Sequence, residues 1–420
     1  LEKRGFKANT LSNKFRWFIF SLKWYFFGVA SGLIEIKRIV LSNFHSKTFF
    51  NYFINLSPLN LHYNKLNLNS NNIITWYVRK FNLKENVIYH SVKGIPNFKF
   101  EKINVFSIDS PIPPLTGIKS ILLFSYWFLI NIFISLFSSK KKLLFRERVL
   151  KKVFSLSKLN SKGKYLFHNS GIIFRPLWTY EAEKRGLEIV MYFYSLNYQE
   201  VQEKGKNEVS EFYWQITSWP NYFLWNAEQL NDLLKRINYP FNYKIVGPIQ
   251  FSTLKVSNPI KIINKAIIVF DIQPKRDSFY TSMVASFDYY TTEYSIKFLN
   301  AINNVSKKLN LDVVIKRKRK HPKNIDSKKY LRYLNYLIEN EKWVQIDPDL
   351  DVSSASSSKN IIAAIGTPFT SALHFTRENK IPSVFFDPSN KMIHQNSNSV
   401  DFNLIGKESD LLRWLKTYTN

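Results

Sequence analysis

The sequence predicts an α/β protein built on parallel sheets, and three observations lead there. From Ala266 onward, short apolar runs alternate with helical patterns about five times, which argues a parallel sheet covered by helices on both faces. Ile361–Asn390 (IIAAIGTPFTSALHFTRENKIPSVFFDPSN) strings together an apolar strand, a small hydroxyl-rich turn, a helical stretch and a second apolar strand closing on Asp387. The length of 420 residues exceeds one ordinary core and suits two domains of about 200 residues each.

In chain order, Arg16–Ile36 is apolar with basic flanks. Lys23 breaks the run, so a helix at a membrane surface or in a core fits better than a signal peptide. Lys47–Asn72 is dense in Asn, Phe and Tyr without clear period, and residues 1–72 read as a basic, aromatic extension. Ile73–Val78 and Asn86–Ser91 read as short strands. Ser110–Pro114 is a stiff turn. Ile118–Phe137 then has the length of a bilayer-spanning helix, although Lys119, Ser120, Ser125, Asn131 and Ser135 interrupt it. A span, a buried core helix and a helix lying on the membrane surface compete. The last fits best, because Lys140, Lys141 and Lys142 follow at once and would attract anionic headgroups.

Lys164–Phe167, Leu187–Tyr194, Tyr222–Trp225 and Tyr243–Val246 read as strands, and Pro176–Arg185 and Ala227–Ile237 as helices, the former closed by Gly186. Residues 73–248 thus form a first domain and 249–262 a turn-rich linker. Residues 263–400 form a second domain, with strands at Ala266–Phe270, Leu311–Ile315, Trp343–Ile346, Ile361–Ile365 and Pro382–Phe386. Helices over Thr292–Leu309 and Ser327–Glu339 fall between them, and 401–420 is a terminal helix.

The net charge of +29 favours polyanions: nucleic acid, anionic lipid or phosphorylated ligands. The absence of cysteine excludes disulfides and thiolate metal sites. No GxGxxG, Walker loop, GxSxG elbow or HExxH supports a P-loop NTPase, serine hydrolase or zinc enzyme. Asp347-Pro348-Asp349 is common turn chemistry and no metal is expected.

Ligands of open α/β sheets bind at the carboxyl ends of the strands. At one such end lie Gly366, Thr367, Pro368, Phe369, Thr370 and Ser371. Free N–H groups at Thr370 and Ser371 would suit a phosphate, their hydroxyls add donors, and Pro368 stops the strand. The plainer alternative is that Thr370 or Ser371 only caps a helix. Lys316–Lys320 ends another strand, and its Arg317, Arg319 and Lys320 would neutralise a diphosphate or carboxylate. His321-Pro322 follows, while Gln273 and Asp387 lie after two further strands. For a general base the first domain offers Asp109, His90, His168, Glu181 and Glu183. His168 ends a strand, and Glu181 and Glu183 fall on opposite sides of a helix.

The segment GTPFTSA at Gly366–Ala372 resembles the signature of the bacterial polysaccharide-biosynthesis PFTS motif proteins. HNSGIIFRPLWTYEAEKRG, YSLN and NYFLWNAEQL…KIVGPI look like the same family, so the resemblance covers residues 160–400. It implies a GT-B glycosyltransferase: two Rossmann-like domains facing across a cleft, with an N-terminal helical, membrane-associating extension in this chain. The donor nucleotide would sit mainly on the carboxyl-terminal domain. Some sialyl- and Kdo-transferases of this type use a His-Pro dipeptide for the CMP moiety and a hydroxyl pair at a helix start for its phosphate. His321-Pro322 and Thr370-Ser371 are similar to these, which makes a CMP-sugar the leading donor. The acidic-acidic-Gly motif that carries the base in one such family is absent, leaving His168, Glu181 and Asp109 as candidates.

The expected function is therefore transfer of a sugar from a nucleotide-activated donor to a glycan or lipid-linked acceptor, without cofactor or metal. The expected location is the inner face of the cytoplasmic membrane, against anionic lipid. Two alternatives stand beside it. A non-catalytic nucleic-acid- or membrane-binding protein would use the charge alone, although no nucleic-acid-binding signature is present. A UDP-sugar epimerase on the same scaffold would need a carboxylate pair that the sequence does not offer.

Overall fold

A computed structural model describes residues 11–41, 50–54, 73–83, 87–92, 97–100, 102–108, 110–158, 162–168, 174–193, 201–204, 217–247, 262–271, 274–275, 291–317, 326–347, 352–368, 370–394 and 403–419. The chain forms two compact units. The first takes in Leu1–Tyr194, Phe212–Leu224 and Ile237–Val246, and the second Ser195–Glu211, Trp225–Arg236 and Gly247–Asn420.

The first unit holds an eight-stranded sheet. Its strands are β1 (Phe50–Ile54), β2 (Val87–His90), β3 (Phe98–Phe100), β4 (Ile103–Ser107), β5 (Gly163–His168), β6 (Glu188–Tyr192), β7 (Asn221–Leu224) and β8 (Asn242–Ile245). They lie in the order β3-β4-β2-β1-β5-β6-β7-β8, all parallel except the β3–β4 pair. Later strands extend the sheet to both sides of β1, so the order reverses between β1 and β5. Phe50 and Tyr52 of β1 flank Tyr165 of β5, and Trp178 packs edge-on against Tyr165 at 4.9 Å.

Helices α1 (Leu11–Leu41), α2 (Ile73–Phe81), α3 (Ile118–Leu136), α4 (Ser139–Leu143), α5 (Phe145–Leu156) and α6 (Trp178–Lys184) belong to this unit. Two expectations are corrected here. The segment read as an extension, 1–72, holds the expected apolar helix, but its Phe50–Ile54 stretch, read as patternless, is a central strand of the sheet. Ile73–Val78, read as a strand, is helical: six consecutive apolar or β-branched residues are ambiguous by period alone. The helix then continues through Arg79 and Lys80 to bring Phe81 onto Tyr77, with ring centroids 4.7 Å apart.

The second unit is built on a six-stranded, wholly parallel sheet. Its strands are β9 (Ala266–Phe270), β10 (Asp312–Lys316), β11 (Trp343–Ile346), β12 (Ile361–Gly366), β13 (Ser383–Phe386) and β14 (Asn403–Ile405). Their order is β11-β10-β9-β12-β13-β14, the doubly wound 3-2-1-4-5-6 arrangement. Helices α7 (Ala227–Arg236), α8 (Thr292–Leu309), α9 (Lys328–Asn340), α10 (Val352–Ala355), α11 (Ala372–Glu378) and α12 (Glu408–Thr419) complete it. α8 starts where the Thr291 hydroxyl accepts the Tyr294 N–H at 3.2 Å, and ends at Asn310 in a left-handed conformation. Ile267, Val269, Phe298, Ile302, Val313, Leu334, Ile365 and Phe386 form its fully buried core.

The domain bounds read from sequence also shift. The second unit recruits 195–211 and 225–236 from the segment assigned to the first domain, and β14 extends its sheet past residue 400. Of the expected linker, only Ile262 lies among the described residues.

Candidate functional site

In a doubly wound sheet the crevice for a ligand opens at the carboxyl ends of the two strands where the order reverses. In the second unit these are β9, ending at Phe270, and β12, ending at Gly366. The Thr367 N–H donates to the Phe270 carbonyl at 3.2 Å and carries the ladder one residue past β12. Thr367 is buried, and the chain turns immediately: the Thr370 N–H donates to the Thr367 carbonyl at 3.2 Å, and the two threonine hydroxyls share a hydrogen bond at 2.9 Å. Gly366 allows this turn to close, because a Cβ there would press to 3.0 Å on the Leu373 side chain and 3.3 Å on Thr370 Cβ. α11 follows, anchored by buried Leu373 and by Phe375, whose ring meets Trp225 edge-on at 5.4 Å.

This geometry corrects part of the expectation for the turn. The Thr370 N–H is spent within the turn. Ser371 adopts helical angles, and its side chain makes no capping hydrogen bond to α11. The hydroxyls of Thr367 and Thr370 are the coupled pair; Ser371 is half-buried beside them. Pro368 is buried, and Phe369 lies outside the described residues.

Asp271, the residue after β9, is the feature that sequence reasoning passed over. It is buried, and its Oδ2 accepts the hydroxyl of Tyr330 from α9 while Oδ1 has no partner. Burial pushes its carboxyl up to about 6, opposed by the Tyr330 hydrogen bond and by Arg317. The same burial, with Asp271 beside it, drives the Tyr330 phenol well above its ordinary value. An acid directly behind a wholly apolar strand was the available signal.

Arg317, expected as an anion clamp, is an ion-paired residue: it holds buried Asp326 at 2.8 Å, leaving its Nε without a partner. A paired guanidinium has already met a carboxylate, so its positive charge is largely spent locally. Asp387, expected at the donor, instead organises the turn after β13. Its Oδ1 accepts from Ser389 N–H at 3.0 Å, and its Oδ2 from Lys391 and Met392 N–H groups at 2.7 and 2.9 Å. Gln273, Arg319, Lys320, His321 and Pro322 lie outside the described residues.

In the first unit, His168 is the last residue of β5, at that sheet's own reversal of order. It is buried, with its ring 5.9 Å from that of Tyr192. Glu181 on α6 is engaged by Lys151 at 3.3 Å and Lys184 at 3.6 Å. Glu183 takes the guanidinium of buried Arg175 at 2.5 Å. Both helix carboxylates are thus committed to cations. His90 ends β2; its Nδ1 accepts the Val92 N–H at 3.1 Å, its Nε2 is buried without a partner, and burial lowers its pKa to about 4. Asp109 lies outside the described residues.

A search of curated proteins gives no match. Similar solved structures include a UDP-forming α,α-trehalose-phosphate synthase from Burkholderia xenovorans in complex with glucose-6-phosphate, at 8% identity and TM-score 0.46, covering 89% of this chain and 92% of that one. The UDP-GlcNAc 2-epimerase of Methanocaldococcus jannaschii has 13% identity and TM-score 0.44, with coverage of 89% and 93%. The wall teichoic acid polymerase TagF has 10% identity and TM-score 0.43, with coverage of 98% and 92%. The family described as polysaccharide biosynthesis PFTS motif protein matches residues 127–415, from within α3 to within α12, and so includes the turn at Gly366–Ser371. That match covers more than half of the chain, which therefore belongs to the polysaccharide biosynthesis PFTS motif family.

Proposed function

We propose that this chain is a glycosyltransferase of surface polysaccharide synthesis that uses a nucleotide-activated sugar. One observation carries the reading: the Gly366–Ser371 turn sits where the strand order of a doubly wound sheet reverses, the position at which such sheets take ligands. Two hydroxyls already joined to each other at 2.9 Å can reorient toward a phosphate without ordering anything new.

In the reaction, an acceptor hydroxyl attacks the anomeric carbon of the donor. The bond from that carbon to the phosphate oxygen breaks, and the nucleotide leaves with the electron pair. The hydroxyls of Thr367, Thr370 and Ser371 would stabilise the charge that develops on the leaving phosphate. Gln273, Arg319, Lys320 and His321-Pro322 are the further donor contacts expected from the sequence, and His321-Pro322 is the reason to test a CMP-sugar first. His168 is the proposed base for the acceptor proton, because it ends its strand at the other sheet's order reversal and Glu181 is paired with lysines. The acceptor is a glycan or a lipid-linked sugar, met at the inner face of the cytoplasmic membrane.

A thermal-shift panel of CMP, UDP, GDP and ADP tests the donor reading. One nucleotide raises Tm selectively, and the shift disappears in Thr370→Ala/Ser371→Ala. Equal response to all four, or to none, contradicts it.

A further inference from the structure

Two helices far apart in sequence, α1 and α3, pack as an antiparallel pair in the first unit. The Tyr25 hydroxyl donates to the Ile132 carbonyl at 3.2 Å, and Arg38 to the Ile112 carbonyl at 2.8 Å, so the end of α1 lies near the start of α3. Gly32 lets the two helices close, because a Cβ there would overlap the Phe128 ring; Gly28 likewise admits the Phe145 ring of α5 against α1. Only a narrow stripe of each helix is covered. On α3 it is Phe124, Phe128, Asn131 and Ser135; on α1 it is Ser21, Tyr25, Gly28, Gly32 and Glu35.

Among the described residues, much of the remaining surface of both helices is apolar and exposed. Trp17, Phe20, Phe26, Phe27, Leu33 and Ile34 stand out from α1, and Leu122, Tyr126, Leu129 and Phe133 from α3, each 46% exposed or more. Ten large apolar side chains exposed on two neighbouring helices mark a contact surface. Charge says what covers it. Across α1, α3 and α4 the sole acidic residue is Glu35, which is buried and paired with Arg38. Lys119 and Lys140–Lys141 are exposed at the two ends of α3, and Lys23 stands on the outer face of α1.

Both helices are long and apolar enough to cross a bilayer. The packing argues against a crossing. Asn131, well inside α3, takes the guanidinium of Arg148 at 2.5 Å, and Arg148 belongs to α5, which packs onto α6 under the sheet. A span would carry that arginine, and Lys23, into hydrocarbon, where a charge is costly.

We propose that α1 and α3 form one monotopic platform that lies in the interfacial layer of an anionic bilayer, with Lys23, Lys119, Lys140 and Lys141 reaching lipid phosphates. Snorkelling lysine stems keep their ammonium groups at headgroup level while the rings enter the acyl boundary. This deepens the proposed membrane location, and its test reads no glycosyl transfer or nucleotide binding.

The cysteine-free chain permits single-site labelling. Phe26→Cys, Leu129→Cys and, as a control on α9, Lys329→Cys are labelled with an environment-sensitive dye and mixed with sealed phosphatidylcholine or phosphatidylcholine/phosphatidylglycerol vesicles. The first two labels shift to the blue on the anionic vesicles and the third does not. Lys140→Glu/Lys141→Glu weakens vesicle binding about ten-fold or more, at about 1 kcal/mol per lysine. Ile118→Cys and Phe137→Cys both react with an impermeant maleimide added outside. Protection of one of those two ends indicates a span and overturns the proposal. So does the absence of any blue shift, or burial of the labels in a vesicle-free oligomer.

Discussion

Thr367 donates its main-chain N–H to the carbonyl of Phe270 at 3.2 Å, and so ties the hydroxyl-rich turn to the end of β9 where the strand order reverses. The hydroxyls of Thr367 and Thr370 then complete the turn. Thr367→Val keeps the shape but removes the buried hydroxyl of a half-buried pair, which costs about 1 kcal/mol of stability. The account also expects the variant to lose most of the nucleotide-induced rise in Tm. A variant that is destabilised but keeps the full rise would limit Thr367 to a structural part.

Asp271 gives the second unit a pH signature. Its folded pKa of about 6 lies above the unfolded carboxylate value near 4, so the folded state binds the extra proton. The associated stability is fully present below pH 4 and is lost as pH rises through 6, about 3 kcal/mol in all. Asp271→Asn keeps an acceptor for Tyr330. Urea melts from pH 4 to 7 are expected to show the variant gaining on the wild type as pH rises; parallel curves would refute this.

His90 acts in the opposite direction. Burial lowers its folded pKa to about 4, beneath the unfolded value near 6.5, so its contribution is present above pH 6.5 and lost as pH falls through 4. The loss is about 3 kcal/mol. In His90→Asn the fall in stability between pH 6.5 and 4 becomes shallower, measured by the same melts.

Gly32→Val drives a branched side chain into the Phe128 ring. The expected cost is about 1 to 3 kcal/mol, as for other overpacked sites, read as a lower urea midpoint. An unchanged midpoint would mean that α1 and α3 do not pack this closely.

His168→Gln is expected to reduce sugar transfer by about 100- to 10,000-fold, the usual weight of a general base, while the nucleotide-induced Tm shift stays intact. Loss of both together would indicate a structural role for His168.

The carboxyl-terminal half was the more legible part. Ala266–Phe270 and Thr292–Leu309 have the same bounds in sequence and structure, because one is uniformly apolar and the other carries a clean helical stripe between a threonine cap and an asparagine stop. β1 was missed because Asn51 stands inside it; its Oδ1 accepts the Tyr77 hydroxyl at 2.9 Å, a partner only the fold supplies. The position of the Gly366–Ser371 turn was readable, since a strand must end before Pro368. What each side chain does there was not. Arg317 looks like a free cation until Asp326 is brought to it, and Asp271 looks like a turn residue until α9 delivers Tyr330 from 59 positions away. Asp387 is the converse case, since Asp-Pro-Ser-Asn is ordinary turn chemistry and behaves as such.

Hydrogen exchange of the full chain, followed by mass spectrometry with and without the nucleotide that raises Tm, tests the central claim most directly. The account predicts slowed exchange in the peptides holding Gly366–Leu373 and Phe270–Asp271, where the turn and β9 meet. Protection confined to the first unit, or absent from both peptides while the nucleotide is bound, would contradict it.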